Sequence, residues 1–143
     1  MNIHTIDLLK ECSSGCEMAM KSIAQVKEYV KDESLEHILD RYSEEHYAIL
    51  TKVATMLGED GLESEEPSKL AEAMSWLTTE VKMLMRADSH QIAKLMMDGC
   101  NMGIQSVSEY INKYDDASEE SEKIAGELIR IEEEFMKELK AFV

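Results

Sequence analysis

Four stretches of this chain set apolar residues at steps of three or four, and that spacing restricts its fold more than any other feature. Leu9, Cys12, Cys16, Ala19, Ile23, Val26 and Val30 form the first run, and Leu35, Leu39, Tyr42, His46, Ile49, Val53 and Met56 the second. Ala93, Met96, Cys100, Gly103, Val107, Tyr110 and Tyr114 form the third; Ile124, Leu128, Ile131, Phe135, Leu139 and Phe142 form the last. With about 3.6 residues per helical turn, such steps keep side chains on one stripe, so each run gives a helix with one buried face. The runs are similar in length, as a bundle of side-by-side helices requires. One proline and six glycines among 143 residues leave few breaks, and 44% hydrophobic residues suffice for a core, so a single all-α domain over residues 1–143 is expected.

The punctuation between runs fits that reading. Helices are expected over about residues 5–30, 34–57, 68–86, 89–113 and 118–142. Asp32 suits the N-cap of the second, Gly58 its stop, and Asp88-Ser89 the cap of the fourth. Residues 58–67 are acidic and turn-rich, and Pro67 stands where the first turn of the next helix begins. The stretch 68–86 carries Leu70, Met74, Leu77, Val81 and Leu84 on one face and Ala73, Trp76 and Met83 on another. At about 1.5 Å per residue it would span about 28 Å, enough to return the chain to the starting end of the bundle. The second and fourth helices would then run parallel, giving an up-down-down-up bundle with a long helical crossover. An internal echo supports two related hairpins. Gly15-Cys16-Glu17-Met18 recurs as Gly99-Cys100-Asn101-Met102, and the alignment pairs Ala19 with Gly103, Ser22 with Ser106 and Ile23 with Val107.

These residues carry a resemblance. Asp7-Leu8-Leu9, Gly15, the turn from Val26 through Asp32 to Leu35, Leu57-Gly58 and Ser68-Lys69-Leu70-Ala71 together look like the ferritin-like superfamily. Within it the chain is similar to bacterial ferritin-like four-helix-bundle proteins of unknown function. The resemblance implies the fold and brings no activity with it.

The formal net charge of −15 opposes binding to nucleic-acid phosphates or anionic membranes. No apolar run approaches the roughly 20 residues of a membrane span. Met1-Asn2-Ile3-His4 begins no signal peptide, so a soluble cytoplasmic protein with reduced cysteines is expected.

Di-iron carboxylate bundles take a Glu from each of two helices and a Glu-x-x-His from each of the other two. Here Ser43 stands three residues before His46, the last helix has no histidine, and Glu17 echoes as Asn101. The run Glu132-Glu133-Glu134 is expected to face water. A second candidate is a tetrahedral zinc site of Cys12, Cys16, Cys100 and His46, set against plain packing, since free cysteine behaves as a small buried hydrophobe. Zinc or iron at these residues, with Glu17, is the alternative to a chain without a cofactor. His4, His37 and His90 read as surface residues. Ala73, Trp76 and Met83 lie off the core face of their helix and suggest a contact between copies, so a homo-oligomer, a dimer for instance, is expected. The favoured role is non-enzymatic, through self-association or a protein partner. The alternative is a metal-binding or redox protein.

Overall fold

Each helix begins on a side chain that satisfies backbone donors the helix itself leaves open. Asn2 Oδ1 accepts from Thr5 N at 2.8 Å, Asp32 Oδ1 from Leu35 N at 3.1 Å, Asp88 Oδ1 from Gln91 N at 2.8 Å, and Ser118 Oγ from Ser121 N at 3.2 Å. The computed structural model describes residues 1–58 and 88–143. Among them are four α-helices: α1 (Ile3–Lys27), α2 (Glu33–Gly58), α3 (Ser89–Lys113) and α4 (Glu119–Leu139), with a closing 3-10 turn at Lys140–Phe142. The expected linker and crossover helix, with Ala73, Trp76 and Met83, lie outside the described residues. α1 begins and ends earlier than its apolar pattern suggests. The Asn2 cap starts it at Ile3, and i→i+3 bonds from Tyr29 N to Val26 O and Val30 N to Lys27 O tighten its end into a turn.

Side-chain pairs fix the helix directions. Arg41 with Glu138, His46 with Glu132, and Lys52 with Glu127 occur in reverse order along α2 and α4, so those helices are antiparallel. Asn2 Nδ2 donates to Asp116 O, Asp116 N to His4 Nδ1, and Ser118 N to Thr5 Oγ1, so α1 starts beside the α3–α4 turn. α1 packs mainly on α2 and α3 on α4; the two hairpins meet along α2–α4 and α1–α3.

The apolar runs form the core. Leu9, Cys12, Cys16, Ile23 and Val26 of α1 are buried with Leu35, Leu39, Tyr42, Ile49 and Val53 of α2. Ala93, Met96, Cys100 and Val107 of α3 meet Ile124, Leu128, Ile131, Phe135 and Leu139 of α4. Each fully buried Leu or Ile contributes about 1.5–3 kcal/mol. The buried stripe is wider than the runs alone, because Leu8, Leu57, Ile92 and Leu95 are also covered. No helix among the described residues is long and apolar enough to cross a membrane.

Candidate functional site

Position 46 is where the second run interrupts its apolar stripe, and the fold carries that polar residue into the middle of the bundle. His46 is fully buried. Its Nδ1 lies 2.6 Å from the Tyr42 carbonyl oxygen one turn earlier, and its Nε2 lies 2.5 Å from Glu132 Oε1 on α4. Glu132 is only 7% exposed, which corrects the expectation that the whole run Glu132-Glu133-Glu134 faces water; Glu133 and Glu134 do. The physical reason is register. Glu132 stands four residues after Leu128 and three before Phe135, inside the buried stripe. That spacing was the available signal, masked by two acidic neighbours that point outward.

The surroundings hold the pair. Tyr42 and Phe135 stack one turn away, with ring centroids 4.7 Å apart and planes 10° apart. A Cβ on Gly103 would stand 3.4 Å from Glu132 Cδ, so α3 packs beside the carboxyl at this position. Burial opposes a charge on His46, while the Glu132 carboxylate and the Tyr42 carbonyl favour it; the balance holds its pKa above the ordinary value.

The three cysteines are free, buried thiols. Burial, helped by Glu11, pushes Cys12 up to about 12. Burial first, then the neighbouring Cys12, and then the carboxylates of Glu132 and Glu17 push Cys16 well above the thiol range. Cys100 is raised likewise, by burial and then by Glu132, which acts on it through charge and as a hydrogen-bond acceptor. Glu132 is thus the common neighbour of Cys16, Cys100 and His46. The echo from the sequence meets here, with one cysteine from each hairpin. Cys12 lies one turn earlier on α1, and the partly buried Glu17 is adjacent to Cys16 without joining the His46 pair. Thiols held protonated in this way are poor nucleophiles and poor ligands. His4 is partly exposed, and His37 and His90 are exposed.

No protein family matches the chain, and neither a curated protein nor a solved structure does.

The donors do not fit a di-iron carboxylate site. Each of the two Glu-x-x-His spacings keeps one member: Ser43 precedes His46, and Phe135 follows Glu132. The two survivors bond to each other. Cysteines occupy the core positions of α1 and α3. Among the described residues no three His, Cys, Asp or Glu side chains form a group able to hold a metal ion. The arrangement can hold a proton and brace two helices.

Proposed function

We propose that this chain is a ferritin-like bundle that acts by binding rather than by catalysis, in the cytoplasm, with a second copy of itself or a protein partner as its target. The observation that carries this reading is the engagement of His46 on both ring nitrogens. The one core imidazole among the described residues is thereby committed to internal bonds, and the neighbouring thiols are held protonated. The core therefore offers little to a substrate, and the charged surface is what remains to meet a partner. The reversed order of the α2–α4 pairs and the start of α1 beside the α3–α4 turn support an up-down-down-up order. Free thiols suit a reducing compartment.

A net charge of −15 favours a basic partner surface and makes self-association depend on salt. Sedimentation over a wide protein concentration range, at low and high salt, tests the self-association arm. The fluorescence of Trp76, the chain's single tryptophan, provides a second readout. A reversible shift in mass with a matching change in emission supports contact between copies. A monomer throughout directs the search to a partner, and turnover of a small substrate, lost on replacing His46 or Cys16, would overturn the binding role.

A further inference from the structure

Two hydrogen-bond acceptors cannot bond to each other, and this counts the protons at His46. The Tyr42 carbonyl can only accept, so Nδ1 of His46 carries a hydrogen and donates it across 2.6 Å. With its one hydrogen on Nδ1, a neutral imidazole presents a lone pair at Nε2. A carboxylate also presents only lone pairs. Yet Nε2 and Glu132 Oε1 lie 2.5 Å apart, so a further hydrogen stands between them. We propose that this single proton clasps the first hairpin to the second, so that the packing of the bundle core depends on its being held. The clasp is independent of the binding role proposed above.

Its surroundings explain why nothing else can take over. From α1 the pair faces the Cys16 thiol, and from α3 the Cys100 thiol, both raised by burial and by Glu132 itself. From α2 come the Tyr42 carbonyl and the charge of Glu45; from α4 comes Glu132. The charges acting on His46 are all carboxylates, so the proton is what neutralises the pair. When it leaves, a carboxylate and a lone pair confront each other beside the Tyr42–Phe135 stack, with His46 out of reach of water. Hairpin contact along α2–α4 is then lost in favour of solvation.

The sign follows from linkage. His46 has a raised value in the folded chain against about 6.5 in the unfolded one, so the folded state binds more protons. The clasp's contribution is fully present below about pH 6.5 and is lost as pH rises through the folded value.

Two measurements on the wild-type chain and one variant test this. Nitrogen-15 ring spectra, assigned residue by residue, should show His46 as imidazolium at neutral pH, titrating above the ordinary histidine value. The unfolding equilibrium constant should rise by up to about tenfold per pH unit above about 6.5 and level off where His46 titrates. In Glu132→Gln an amide can donate to a neutral ring, so the His46 titration should fall below its wild-type position and the pH dependence above about 6.5 should vanish. A neutral His46 at pH 6, or stability flat across its titration, would overturn the clasp. So would a Glu132→Gln chain that keeps the wild-type pH dependence. If that variant does not fold, the two wild-type measurements decide.

Discussion

Breaking the core pair from either side should cost far more than removing it whole. His46→Leu leaves the Glu132 carboxylate, its side chain 9% exposed, without its partner in the core. Glu132→Met leaves a fully buried imidazole with one nitrogen unsatisfied. Each single change should destabilise by about 3–5 kcal/mol, the range for removing one member of a buried pair. Against a total of about 5–15 kcal/mol for a domain, either loss is large. The double variant His46→Leu/Glu132→Met replaces both with apolar side chains of similar volume. Such replacements are about neutral or stabilising by about 1–4 kcal/mol. Urea unfolding of the four chains, followed by far-ultraviolet circular dichroism at pH 6, gives the coupling directly. It should be several kcal/mol, well above the roughly 0.3–0.5 kcal/mol scatter of independent sites. A double variant that loses the sum of the two single losses would refute the reasoning, because the two side chains would then not act as a unit.

Other expectations follow from local geometry. Gly99→Ala and Gly126→Ala meet nothing within 4 Å and lie within helices, so each should raise stability by about 0.5–1 kcal/mol in urea unfolding. Gly103→Ala gains the same helix propensity and sets its Cβ in ordinary contact with Glu132, 3.4 Å from Cδ, so it should also raise stability, by up to about 1 kcal/mol. Ser118→Ala removes the cap of α4 and should cost about 1 kcal/mol, whereas the exposed Ser106→Ala should be near neutral. An aromatic disulfide reagent at pH 8 should leave Cys12, Cys16 and Cys100 unlabelled in the folded chain and modify all three in denaturant. Fast labelling of the folded chain at any of them would show that burial does not protect it.

The four helices among the described residues, and their buried stripes, were legible because periodicity and caps are local. The seam through Leu35, Leu39, Tyr42, His46, Ile49 and Val53 is buried as its spacing implies, and Asp32 and Asp88 cap where a short acidic side chain before an apolar run should. The early end of α1 was not legible, because a final i→i+3 turn leaves the apolar pattern intact through Val30. The site was half legible. His46 announced itself as a polar residue on an apolar stripe, and its bond to the Tyr42 carbonyl one turn earlier satisfies one of its ring nitrogens. Glu132 did not, because its neighbours Glu133 and Glu134 made the run look like a solvated face. Only the cross-bundle register, which no local pattern carries, brings position 132 of α4 opposite position 46 of α2 and beside Gly103 of α3. The Gly-Cys-x-Met echo marked architecture correctly in one respect: its two cysteines are both buried and share Glu132 as a neighbour.

We propose that His46 and Glu132 close the core of this bundle, so that no ligand binds there. Titrating the untagged protein with zinc(II), and with iron(II) under anaerobic conditions, while following the His46 ring resonances, tests it most directly. The expected result is an unchanged His46 spectrum and metal content below one equivalent in the purified chain. Stoichiometric metal that shifts the His46 ring and is lost in His46→Leu would contradict it.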